Sequence, residues 1–120
     1  MEVFMSDIII YGSHYGATKR YAEELSRRTN IEARSFKTIK EINKYDTIIY
    51  LGGLYAGGVL GMAKTLKALN NISKKKIIIA TVGLADPTDE VNKNNINNNI
   101  KRQLTKEVFE RAKIFYLRGA

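Results

Sequence analysis

The sequence predicts an α/β fold in one domain, residues 1–120, built on a parallel sheet of five strands separated by helices. Three features predict it. Short apolar runs rich in β-branched residues recur at 8–11, 46–51, 77–81 and 114–117, the length of buried strands and too short for helices. Between them lie stretches with apolar residues at helical spacing, such as Ala17, Tyr21 and Leu25, and that alternation builds a parallel sheet covered by helices. Three loops rich in glycine or other turn residues, 12–18, 52–58 and 82–88, each follow a strand.

Taken in order, residues 1–6 read as a short leader. Strand one feeds a helix over 17–28 that ends in Arg27, Arg28 and Asn30, cations and a stop residue suited to the negative helix terminus. Residues 31–36 alternate as a weaker edge strand, and 38–45 read as a helical turn. Strand three at 46–51 runs into the glycine loop 52–58. A helix over 59–70 follows, with Val59, Met62, Ala63, Leu66 and Leu69 on one side. Lys74, Lys75 and Lys76 read as a solvated turn into strand four. After loop 82–88, Asp86 or Thr88 is expected as the helix cap, with Pro87 in the first turn. Six of the eight residues 92–99 are Asn, a poor helix former. Ile96, Ile100 and Leu104 nevertheless repeat every four and predict a helix over 90–104 on a narrow apolar seam. Residues 106–112 add a helical turn with Val108, Phe109 and Ala112 inward, and 114–117 is strand five.

The loop after strand one has a chemistry of its own. The first amides of a helix lack partners and carry partial positive charge, so hydroxyls placed there complete a pocket for a phosphate. Ser13 and Thr18 supply hydroxyls, and Gly16 permits close approach and a positive φ. The other reading is an ordinary strand-to-helix turn that uses Gly and Ser for geometry.

The order Ser-x-x-Gly-x-Thr after a first strand resembles the phosphate loop of flavodoxins. Ser13-His14-Tyr15-Gly16-Ala17-Thr18 is most similar to the branch containing menaquinone-dependent protoporphyrinogen dehydrogenase. Residues 53–57 and 81–87 resemble the second and third loops of that family. The resemblance implies a flavodoxin-like three-layer sandwich with strand order 2-1-3-4-5, whose crevice lies where the loops after strands one, three and four converge. It implies FMN as cofactor, with Ser13, Tyr15, Gly16, Ala17 and Thr18 on the phosphate and Leu54, Tyr55, Ala56 and Gly57 beside the ring. Val82, Gly83 and Leu84 would meet the pyrimidine edge. No catalytic acid, base or nucleophile is assigned.

Several residues keep two readings. His14 either donates to a phosphate oxygen or is solvated, and Tyr55 either stacks on the ring or packs on the following helix. Lys19 and Arg20 either attract the phosphate or face water. Tyr15 stands where many flavodoxins place a phosphate-binding Thr, and with no Trp in the chain any stacking falls to Tyr55, Leu54 or Leu84. The chain stops three residues after strand five, so the last helix of the flavodoxin pattern is absent. Either the product is truncated or a partner, such as a second copy in a homo-oligomer, covers the bare face.

Composition narrows the rest. No cysteine and a single histidine exclude thiolate chemistry, disulfides and His-cluster metal sites. Strands one and three end in Tyr11-Gly12 and Leu51-Gly52, without the acids of a phosphoacceptor, and Gly16-Ala17-Thr18 lacks the lysine of a P-loop. Gly12 and Gly16 are spaced wrongly for a dinucleotide fold. No run reaches the length of a membrane span, and a cytoplasmic protein is expected. The net charge of +8 is uneven: eight Lys/Arg against seven Asp/Glu in 1–60, then twelve against five in 61–120. That excess is either scattered over solvated faces or suits an acidic partner, an acidic porphyrinogen substrate or peripheral contact with an anionic membrane. The leading expectation is an FMN-dependent electron-transfer protein or oxidoreductase, working with a redox partner protein or a quinone. A flavin-free scaffold of the same fold is the alternative. No specific nucleic-acid binding is expected.

Overall fold

In the computed structural model, which describes residues 6–14, 16–55, 58–84, 86 and 88–119, the β-branched runs become a parallel sheet. Ile8, Ile9 and Ile10 of β1 (Asp7–Gly12), Ile48 and Tyr50 of β3 (Thr47–Tyr55), and Ile77 and Ile79 of β5 (Lys76–Gly83) are buried. Strands apolar on both faces fill the middle of a sheet. β2 (Ala33–Ser35) and β6 (Lys113–Arg118) form its edges, in the order β2-β1-β3-β5-β6. This is the expected order with one strand added. β4 (Gly58–Val59) pairs antiparallel with the end of β3, Leu54 opposite Val59 and Tyr55 opposite Gly58.

The added strand corrects the reading of 52–58 as a loop. β3 continues to Tyr55 and the chain returns as a hairpin. Missing side chains allow it: a Cβ on Gly52 would stand 2.1 Å from Val59 Cγ1, and one on Gly12 would stand 2.2 Å from the Leu60 carbonyl oxygen. The returning chain therefore lies directly on bare backbone. The buried Tyr50 hydroxyl donates to the same Leu60 oxygen at 2.6 Å, and burial pushes this phenol's pKa up. The helix expected over 59–70 shortens to α2 (Met62–Leu66). Val59 belongs to the hairpin, and Gly61, at φ 76°, makes the turn into the helix. Met62, Leu66 and Leu69 are buried as their spacing predicts.

The helices α1 (Ala17–Thr29), α3 (Glu90–Gln103) and α4 (Lys106–Arg111) stand where expected. Asp89, not Asp86 or Thr88, caps α3 by accepting from the amides of Val91 and Asn92. Asp86 instead accepts from the Thr88 amide and hydroxyl, and Pro87 lies outside the described residues. The apolar seam of the asparagine-rich helix reaches the core through Ile96 and Ile100. α2, α3 and α4 share one sheet face, over Ile8, Ile10, Ile48, Tyr50, Ile77 and Ile79. α1 lies on the other, where Ile9, Ala22, Leu51 and Ala80 meet. Among the described residues α1 is the only helix on that face. Its β5–β6 side is open, and Phe115, beside Ala80 in the register, is 52% exposed.

Lys75 corrects the reading of 74–76 as a solvated turn. It is 5% exposed, and its Nζ donates to the carbonyls of Asn43 at 3.0 Å and Tyr45 at 2.6 Å. Asn43 lies within and Tyr45 directly after a short 3₁₀ turn, Ile42–Lys44, where the helical turn over 38–45 was expected. Lys75→Met keeps the stem but leaves two carbonyls without their donor. It is expected to cost about 1–3 kcal/mol in urea unfolding; an unchanged midpoint would show that water replaces the clamp without loss.

Candidate functional site

Parallel strands place all their carboxyl ends at one rim, and ligands bind beyond that rim where the order of strands reverses. Here β1, β3 and β5 run side by side, with Gly12 beside Gly52 and Gly53 beside Val82. The ends of β3 and β5, with the residues that follow β1 and β5, border one cleft of about 290 Å³. His14, Ala17 and Thr18 come from the first segment, Gly53 and Leu54 from the second, and Val82, Gly83 and Leu84 from the third. The convergence expected of the three loops is present. The Leu54 side chain lies over Gly83, where an added Cβ would stand 2.5 Å from Leu54 Cδ1, and so joins the second segment to the third.

One end of the site is suited to an anion. Gly16 precedes α1 at φ 95°, no side chain among the described residues caps the helix, and its first turn carries no acid. The positive end of the helix dipole is therefore uncompensated. The Gly16 amide donates to Ser13 Oγ at 3.0 Å, which closes the loop and leaves the Ser13 hydroxyl proton for an outside acceptor. Thr18 is buried against the cleft. Arg20 is exposed, as the water-facing reading expects. Its Nη1 comes within 3.5 Å of the point a Cβ would occupy on Gly16, so the guanidinium folds back over the loop. Lys19 remains exposed.

The rest of the cleft suits a flat, largely apolar body. Leu54, Val82 and Ala17 line it, and Leu84 stands at its margin, 78% exposed. The rings of His14 and Tyr55 meet with centroids 4.4 Å apart and a 35° tilt, joining the first and second segments. Tyr55 is 47% exposed, which leaves its aromatic surface available to a ligand. The Thr88 amide and hydroxyl hold the Asp86 carboxyl below the usual carboxylate range, and Arg118 adds to the shift. Tyr15, Ala56 and Gly57 lie outside the described residues.

Gly119 is a lining residue that the sequence reading missed. Its amide donates to the Gly83 carbonyl at 2.8 Å, and the Tyr21 hydroxyl donates to the Arg118 carbonyl at 2.7 Å. Together they fix the end of β6 against β5 and α1. The available signal was a glycine directly after the last strand, the pattern already present at Gly12 and Gly52. Among the described residues no group of His, Asp and Glu is placed to hold a metal ion. No helix among them is long and apolar enough to cross a membrane.

Comparison with known proteins follows the same lines. The chain matches the flavodoxin domain family over residues 8–120. A Bacteroides eggerthii protein provisionally classed as a flavoprotein superposes with a TM-score of 0.69 at 13% identity, covering 94% of this chain and 87% of that one. An oxidised flavodoxin from Bacillus cereus gives a TM-score of 0.56 at 18% identity, over 96% of this chain and 85% of that one. A Lactobacillus acidophilus flavoprotein, solved in complex with FMN, gives 0.57 at 12% identity, over 96% of this chain and 93% of that one. No curated protein matches. With the family matched across nearly its whole length, and the strand order and rim segments of that fold in place, the chain belongs to the flavodoxin family.

Proposed function

We propose that this chain is an FMN-binding redox protein of flavodoxin type. A single cleft that receives the ends of three parallel strands, with an uncapped helix N-terminus at one side, carries the reading. The donor set fits FMN, whose one phosphate matches one anion pocket and whose flat ring matches an apolar slot. The Ser13 hydroxyl, the amides opening α1 and the Arg20 guanidinium would hold the phosphate. Leu54 and Val82 would exclude water from the ring, and Tyr55 would offer it an aromatic face. Bound FMN would supply the electron chemistry, and the chain tunes it by burial and backbone hydrogen bonds.

The finer assignment is dehydrogenation of a porphyrinogen with a quinone as acceptor. It rests on the resemblance of residues 13–18 and 81–87 to the protoporphyrinogen dehydrogenase branch. Titrating the protein into FMN is expected to quench flavin fluorescence at an equimolar endpoint. Tyr55→Ala should weaken binding about 3–10-fold, the worth of one aromatic contact. A folded sample that leaves FMN fluorescence unchanged would overturn the reading in favour of a flavin-free module. FMN-loaded protein that fails to oxidise protoporphyrinogen with menaquinone would remove the finer assignment and leave an electron carrier.

A further inference from the structure

Away from the cofactor cleft, α2 and the corner between α3 and α4 enclose a second and larger groove, of about 610 Å³. Its floor is apolar: Leu66 and Val108 are each 1% exposed, and Leu104 is partly buried beside them. Its rim is cationic, with Lys64 and Lys67 along α2 and Arg102 at the end of α3, all exposed. Among the described residues no carboxylate lines it, and none of the three cations takes part in an ion pair. An adjoining depression shares Leu104 and adds Lys101 and Lys106, with Glu110 as its acid. Five of the twelve Lys and Arg residues of the second half thus border apolar surface at this corner.

Such an arrangement selects its occupant. A nucleic acid would use the cations and leave the partly exposed Ala63 and Leu104 without a partner, whereas a planar membrane cannot follow a concave groove. A protein surface that presents an apolar side chain ringed by carboxylates satisfies floor and rim together. One chain of contacts links the groove to the cofactor cleft. Gln103, on its wall, accepts from the Val59 amide at 3.3 Å, and Val59 pairs with Leu54, which lines the cleft.

We propose that this groove is the docking site of an acidic partner protein, with an apolar anchor on Ala63 and Leu104 over the closed floor of Leu66 and Val108 and carboxylates on Lys64, Lys67 and Arg102, and that this partner exchanges electrons at the cofactor cleft. The electron-exchange half rests on the FMN reading; the docking half does not.

The test uses a short fluorescein-labelled peptide carrying Leu and Phe among Glu and Asp, followed by anisotropy on the full chain with and without FMN. Lys64→Glu/Lys67→Glu is expected to weaken binding at least about tenfold, the sum of exposed attractions lost and repulsions added. Lys37→Glu/Lys40→Glu, the same change of net charge at exposed positions outside the groove, should leave it within about twofold. A peptide with Ser in place of Leu and Phe should bind more weakly. Equal weakening by both double variants, or a peptide insensitive to either, overturns the proposal. So does tighter groove-dependent binding of duplex DNA or phosphatidylserine vesicles than of the peptide. In FMN-loaded protein, reduction by a small acidic iron–sulfur protein should slow in Lys64→Glu/Lys67→Glu while reduction by a neutral photoreductant does not. Peptide binding without FMN binding would sink the redox reading alone.

Discussion

Gly12→Ala is expected to lower folding stability by about 3–4 kcal/mol and the melting temperature by about 10–15 °C. The new Cβ would stand 2.2 Å from the Leu60 carbonyl oxygen and 2.9 Å from the Tyr50 hydroxyl, so β1 and the segment leaving the hairpin must part. Parting them also breaks the 2.6 Å hydrogen bond from Tyr50 to Leu60, which leaves a buried hydroxyl unsatisfied. Gly58→Ala is the comparison. Its nearest obstacle, at 2.8 Å, is the Gln103 side-chain amide, which can rotate aside, so a loss of about 1 kcal/mol or less is expected. Differential scanning calorimetry of both variants checks the pair. Equal melting temperatures would mean that the hairpin does not rest on β1.

Arg20→Ala is expected to weaken FMN binding about 10–100-fold while leaving riboflavin binding within about twofold, since a charge-assisted hydrogen bond to phosphate is worth about 1.5–3 kcal/mol. The argument is the guanidinium's position over Gly16 at an uncapped helix start. Riboflavin has the ring without the phosphate, so the two titrations separate anion binding from ring binding. The affinity of the unaltered protein for FMN should also fall more steeply with salt than that of the variant. Equal weakening of both ligands would assign Arg20 to the shape of the loop.

The central sheet was legible because Ile8, Ile9 and Ile10, and again Ile77, Ile78 and Ile79, are runs that only a buried strand accommodates. The asparagine-rich helix was legible because Ile96 and Ile100 report the core whatever lies between them. The hairpin was not. Gly52, Gly53, Gly57 and Gly58 carry no periodicity in sequence, and what places Gly52 in a strand beneath a returning chain is Val59 packed on its bare backbone, a tertiary fact. Lys75 was equally hidden, since three successive lysines look alike in sequence and only the converging carbonyls of Asn43 and Tyr45 single out one. Of the residues lining the cleft, Ala17, Thr18, Leu54, Val82, Gly83 and Leu84 followed from the resemblance of their loops to those of flavodoxins, and His14 from its place in the first loop. Arg20 and Gly119 did not, because one depends on a side chain folding backward and the other on where a last strand is tethered.

The free margin of the sheet has a colloidal consequence. Among the described residues nothing pairs with the outer side of β6, so its outward backbone amides and carbonyls stay unmatched next to Phe115. Lys113 and Arg118 at its two ends make two such margins repel one another. That repulsion reaches about 10 Å in 0.1 M salt and about 3 Å in 1 M, so concentrated brine removes the barrier that keeps neighbouring molecules from zipping together.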